Sequence, residues 1–135
     1  MAYIGIMSGR PSSFGAFWPQ YLAAHRDPRC RALHYVGSTG GVLGIVAAIA
    51  RGNLLWLPAG LVFAYAMAWV GHFAVERNRP ATFGNPLLSL VGDVKMYLFW
   101  LSGRLGSELA AIETPRPTAD PDAHDAEGGF DIRKN

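Results

Sequence analysis

Charge is scarce in this chain: 16% of its 135 residues are Asp, Glu, Lys or Arg, against roughly 25% in an average soluble domain. Across the 44 residues from Ala32 to Val75 the only charged side chain is Arg51. Cysteine is scarcer still. The single Cys30 excludes an internal disulfide and every multi-cysteine metal site, and a lone thiol without a positioned base is a poor nucleophile. Glycine and proline are present (16 and 9) but without a G-X-Y period, which excludes a collagen-like chain. The glycine-rich stretch GSTGGVLG has no preceding strand pattern and no suitably placed lysine, so it is not a phosphate loop. The opening MAYIGIMSGR places its only base after the apolar run, the reverse of the order in a signal peptide. No nucleic-acid partner is expected, because basic residues beside an apolar hairpin suit anionic lipid headgroups better than a phosphodiester backbone.

What the chain has instead is apolar length. Half of its residues are hydrophobic, and two runs, Ala32 to Ala50 and Leu54 to Val75, are separated only by Arg51, Gly52 and Asn53. A bilayer core of about 30 Å takes roughly 20 helical residues. The fold class read from this is all-α: a membrane helical hairpin of two transmembrane helices, with a third as the alternative, flanked by amphipathic interfacial helices. A soluble buried hairpin is the rival, disfavoured because helices apolar all round face lipid or a large core. Pro58 falls in the first turn after Asn53, where a missing N–H costs little. Gly37 and Gly41, with Gly40 and Gly44, repeat at the four-residue spacing that lets helices approach closely in lipid, a face that would suit a homo-oligomer.

Two further stripes flank the hairpin. Phe14, Phe17, Trp18, Tyr21, Leu22 and His25 share one helical face, with Pro19 either kinking that helix or starting it. Leu87, Leu90, Val91, Val94, Leu98 and Leu101 form the second, with Asp93 and Lys95 off it. Arg26, Arg29 and Arg31 before the hairpin, and Arg77, Arg79, Lys95 and Arg104 after it, outnumber Arg51 at its tip, so both termini are expected on the cytoplasmic side of a bacterial inner membrane. The domain reading is an N-terminal segment 1–12, a helical membrane domain 13–113, and a tail 114–135 whose five acids and three prolines have the composition of disorder.

Three of the four histidines flank this hairpin. His34 lies 18 residues before Gly52 and His72 lies 20 after it. At 1.5 Å per residue these are depths of about 27 and 30 Å, so antiparallel helices bring both imidazoles to one level. Glu76 follows His72 by four and His25 ends the aromatic stripe. His25, His34, His72 and Glu76 together suit iron, zinc or manganese rather than calcium. Ionisable groups in or beside membrane spans are costly and usually functional. Other readings stay open: a lone histidine at an interface can simply meet a headgroup, and Glu76 can pair with Arg77 or Arg79.

The segments YLAAHRDPRCRALHYVG (Tyr21 to Gly37) and GHFAVERNRPATF (Gly71 to Phe83) resemble the two motifs of the DUF962 or Mpo1-like family of small membrane proteins. Tyr21, His25, Pro28 and His34 fit the first motif; Gly71, His72, Glu76, Arg79, Pro80 and Ala81 fit the second. Arg26 stands where the fungal form has a second histidine, and only 37 residues separate His34 from His72, as in a short bacterial-type form. The resemblance implies an Fe2+-dependent dioxygenase, with Zn2+ or Mn2+ as lesser alternatives, acting on a 2-hydroxy fatty acid and O2: R–CH(OH)–COOH + O2 → R–COOH + CO2 + H2O. It further implies His25, His34, His72 and Glu76 as metal ligands, with Glu76 and Arg79 in the catalytic set. Arg79, then Arg77, would hold the carboxylate, and Tyr21, Trp69, Phe73 and Tyr97 would meet the substrate beside the lipid bilayer. The rival from another class is a non-catalytic membrane adaptor that packs through the glycine face.

Overall fold

A computed structural model describes Pro11 and residues 13–114. The acidic tail beyond Thr114, with His124, and the N-terminal segment apart from Pro11 lie outside the described residues. Those described are all-helical: α1 (Phe14–Ala23), α2 (Pro28–Arg51), α3 (Trp56–Val70), a π-helical turn (Gly71–Glu76), a short 3-10 turn (Ala81–Phe83), α4 (Pro86–Leu101) and α5 (Leu105–Glu113).

The boundaries follow local chemistry. Ser13 caps α1 through its hydroxyl, which accepts from the Ala16 N–H, and the helix runs through Pro19 rather than starting there. The residue four back, whose carbonyl the proline leaves without its usual donor, is Gly15. Asp27 caps α2 by accepting the Arg29 N–H at 2.8 Å, with Pro28 at the first helical position. Gly52 ends α2 at φ +59°, a left-handed conformation that suits glycine. The Asn53 side chain then accepts from the Leu55 N–H at 3.0 Å, closing the turn that reverses the chain into α3.

Helix α2, and α3 taken with its π turn (Trp56–Glu76, 21 residues), are long and apolar enough to cross a membrane. Helix α4 has 16 residues, about 24 Å, which is short of a 30 Å core. Two candidate spans therefore stand where a third was the alternative.

Glycine sets the closeness of the hairpin. A β-carbon on Gly44 would lie 2.7 Å from the Trp56 carbonyl oxygen, and one on Gly37 would lie 2.8 Å from that of Ala64. Gly41 faces the same partners more loosely, at 3.9 Å from the Ala64 β-carbon. Within one chain the Gly37/Gly41 face packs α2 on α3.

The two flanking stripes behave oppositely. Phe17, Trp18, Tyr21 and Leu22 of α1 turn inward and form the core with Met96 and Leu105. The Trp18 indole N–H donates to Glu108 at 2.7 Å, tying α1 to α5. The Lys95 ammonium sits 4.1 Å over the Trp18 ring, a cation–π contact. In α4 the apolar stripe points outward: Leu87, Leu90, Val91, Val94, Leu98 and Leu101 are all exposed, while Ser89, Gly92 and Met96 are buried. An inverted stripe of this kind fits a helix whose outer face meets an apolar medium.

Candidate metal centre

Three elements deliver one imidazole each. His25 sits in the turn between α1 and α2, His34 in the second turn of α2, and His72 in the π turn that ends α3. All three are buried, at 0%, 4% and 3% exposure, and one ligand nitrogen from each lies within 4.8 Å of the other two. The ring centroids are 4.5 Å apart for His25 and His34, 4.5 Å for His25 and His72, and 5.1 Å for His34 and His72.

The backbone around these rings is unusual. Gly71 admits the approach of the two helices beside the site, since a β-carbon there would lie 3.0 Å from the Cys30 sulfur and 3.3 Å from its carbonyl oxygen. The π turn then ends at Arg77, whose φ of +54° makes it the one described non-glycine residue in the left-handed region. Single π turns inside helices are frequent at functional sites.

The outward nitrogens settle the proton positions. His25 Nδ1 lies 2.6 Å from the Tyr21 carbonyl oxygen, His34 Nδ1 3.0 Å from that of Cys30, and His72 Nδ1 2.8 Å from Asn78 Oδ1. Asn78 is oriented by its own amide, which donates to the Ala24 carbonyl at 2.9 Å. All three partners are oxygens that only accept, so each Nδ1 carries the proton and each Nε2 presents a lone pair. A second proton on His25 is opposed first by burial and then by His34 and His72, which hold its pKa well below the ordinary imidazole value. In these tautomers His25 Nε2 and His34 Nε2, 3.2 Å apart, meet without a hydrogen between them. Two lone pairs facing each other at that distance suit a cation, and anchored Nδ1–H groups are the usual outer support of metal-bound histidine.

The residues predicted from sequence divide. His25, His34 and His72 converge. Glu76 does not join them: its Oε1 accepts the Asp27 backbone N–H at 2.6 Å, which clamps the His25 loop to the π turn. A Glu76→Gln variant keeps an acceptor oxygen at that place and is expected to bind metal with wild-type stoichiometry, which elemental analysis checks.

Arg79 is exposed, with its guanidinium 5.4 Å over the Phe83 ring. Together with Phe17, Gln20, Tyr21, Phe83 and Asn85 it lines a cleft of about 390 Å³. Trp69 and Phe73 stand beside that cleft through Phe83, at ring centroid distances of 5.6 and 6.5 Å. Arg77 is exposed at the end of the π turn. Tyr97 lies elsewhere, between α2 and α4, where its hydroxyl meets that of Thr39 at 2.9 Å.

Several residues at the site carry no sequence signal of their own. Asn78 orients His72, and Arg31 donates to the carbonyl oxygens of His25 and Arg26 at 2.8 and 2.7 Å, holding the loop. Asp93 enters from α4 with Oδ1 3.7 Å from His34 Nε2, and it accepts a hydrogen bond from the Tyr21 hydroxyl. Burial pushes the Asp93 carboxyl up to about 6, the Tyr21 hydrogen bond and His72 opposing that rise. The Tyr21 ring in turn stacks on His25 at 4.1 Å.

No curated protein and no solved structure matches the chain. A family model described as 2-hydroxy-palmitic acid dioxygenase Mpo1-like matches residues 11–105, a stretch that holds every residue of this centre. With about seventy per cent of its length inside that match, the chain belongs to the Mpo1-like family.

Proposed function

We propose that this chain is an integral membrane, Fe2+-dependent dioxygenase that shortens 2-hydroxy fatty acids by one carbon with release of CO2. The observation that carries the reading is the convergence of three buried imidazoles, each with a ligand nitrogen within 4.8 Å of the other two, in a chain of the family described by 2-hydroxy-palmitic acid dioxygenase.

The donor set fits a first-row divalent ion: neutral imidazole nitrogens with their outer N–H groups anchored, in a space closed to bulk water. His25, His34 and His72 would hold the metal. When bound, ferrous iron supplies Lewis acidity toward the hydroxyl and carboxylate oxygens and redox chemistry toward O2. The 2-hydroxy acid itself supplies all four electrons in R–CH(OH)–COOH + O2 → R–COOH + CO2 + H2O, so no further reductant is needed.

The protein's part is binding and orientation. Arg79, on the rim of the cleft, offers a fork of N–H donors that matches a carboxylate. Trp69, Phe73 and Phe83 continue from it as an exposed aromatic strip along which an acyl chain lies with one side in lipid. Arg77 adds positive charge at the same end. The substrate head then stays at the membrane surface, where a long-chain hydroxy acid places it. With both termini on the cytoplasmic side of an inner membrane, this end of the hairpin faces the cytoplasm.

The test is turnover by the full chain in detergent, loaded with Fe2+ under anaerobic conditions and then given 2-hydroxyhexadecanoic acid and air. Pentadecanoic acid, CO2 and consumed O2 in a 1:1:1 ratio are expected, with Zn2+ or Mn2+ failing to substitute. Iron-loaded protein that consumes no O2 with any 2-hydroxy acid would overturn the assignment.

A further inference from the structure

An imidazole ligates a metal as the neutral ring, so a centre built from three of them alone sets no negative charge against a dication. The partly buried neighbour that does carry charge is Asp93. Its side chain is 20% exposed and its Oδ1 lies 3.7 Å from His34 Nε2, an atom that bears a lone pair because the His34 proton sits on Nδ1. An oxygen and a nitrogen that both only accept face each other there, as the His25 and His34 nitrogens do.

The surroundings do not otherwise neutralise this carboxylate. Among the described residues only His34 lies within ion-pair distance of Asp93, and a ring with its lone pair on Nε2 does not neutralise a carboxylate. Lys95, two residues along α4, is drawn to the opposite side, over the rings of Phe14, Trp18 and Phe99. The one hydrogen bond Asp93 receives, from Tyr21, orients the carboxylate and leaves Oδ1 with a second lone pair. Tyr21 is itself locked, being 2% exposed and packed between Trp18 and His25. Gly92 makes the approach of α4 possible, because a β-carbon at that position would lie 2.9 Å from the Tyr21 ring.

Resting on the metal-centre reading above, we propose that Asp93 is the fourth protein ligand of the centre, a carboxylate brought in by α4 and aimed by the Tyr21 hydroxyl. The centre is then three histidines and one aspartate, with Glu76 outside it. Tyr21 acts through Asp93 and is a positioning residue.

The experiment is a titration of the full-length, detergent-purified chain with Co2+ alone, following the visible absorption of the bound ion. Wild type is expected to bind one Co2+. Asp93→Asn is expected to bind at least tenfold more weakly with a changed spectrum, and Tyr21→Phe severalfold more weakly with the spectrum near wild type. Asp93→Glu, which keeps the charge and moves the oxygen by one methylene, covers the case in which the asparagine variant does not fold; it is expected to bind with a shifted band. Wild-type affinity and spectrum in Asp93→Asn, or an unshifted band in Asp93→Glu, would overturn the assignment of Asp93 while leaving the three-histidine centre standing. A wild-type chain that takes up no Co2+ would overturn both.

Discussion

His72→Ala is expected to lose its metal, with affinity falling at least about 100-fold, the upper end of what removing a mere outer partner of a ligand costs. The ring contributes one of three converging nitrogens, and its loss leaves His25 and His34 with their own Nε2 atoms 3.2 Å apart and no third nitrogen. The fold has little reason to follow. His72 hydrogen-bonds outward only to Asn78, and the hairpin is held by α2 against α3 further along. Elemental analysis after iron loading, with helicity checked by circular dichroism, reads both halves of the expectation. A variant that keeps one iron per chain would remove His72 from the site.

The second large effect comes from a residue that touches no ligand. Gly37 lies three residues beyond His34 on α2, and a β-carbon there would sit 2.8 Å from the Ala64 carbonyl oxygen, 3.1 Å from the Met67 β-carbon and 3.2 Å from the Ala64 α-carbon. Two of the three obstacles are backbone and cannot rotate away. Gly37→Val must push α3 off α2 beside the level where His34 and His72 meet, an overpacking cost of roughly 1–3 kcal/mol. Both a lower unfolding temperature and a metal affinity reduced tenfold or more are expected. Gly41→Ala is the matched control, because its new β-carbon meets the nearest atom at 3.9 Å, an ordinary contact. Thermal unfolding and metal titration of the two variants side by side check the pair; equal behaviour would show that the close approach at Gly37 does not hold the site together.

Much of the hairpin was legible because its geometry is regular. Counting residues from Gly52 put His34 and His72 at one depth, and the short turn at 52–55 with the π turn at His72 shifted that count too little to part the rings, whose centroids are 5.1 Å apart. The same regularity does not extend to Glu76. A residue four places after His72 shares its face in an α-helix, but Gly71–Glu76 is a π turn, with bonds reaching one residue further, so the carboxylate swings to Asp27. Asp93 was illegible for a different reason. Apolar stripes usually mark the buried face of a helix, whereas α4 turns its stripe outward and its Ser89, Gly92 and Asp93 side toward the protein. Periodicity in the sequence marks the two faces without saying which one meets protein. The Gly37/Gly41 face has the same ambiguity, since close packing looks alike whether the second helix belongs to this chain or to another copy. Tyr97 was read by residue type alone, and its place between Thr39 and Trp100 depends on how α4 crosses α2.

The central claim is that three imidazoles hold one metal through Nε2, and X-ray absorption at the iron edge of the Fe2+-loaded chain tests it most directly. Nitrogen or oxygen scatterers at roughly 2.0–2.2 Å, the range for histidine and carboxylate ligands of a comparable divalent ion, are expected, with outer-shell scattering that fits three imidazole rings. Iron bound with oxygen scatterers alone and no imidazole signature would contradict the metal centre described here.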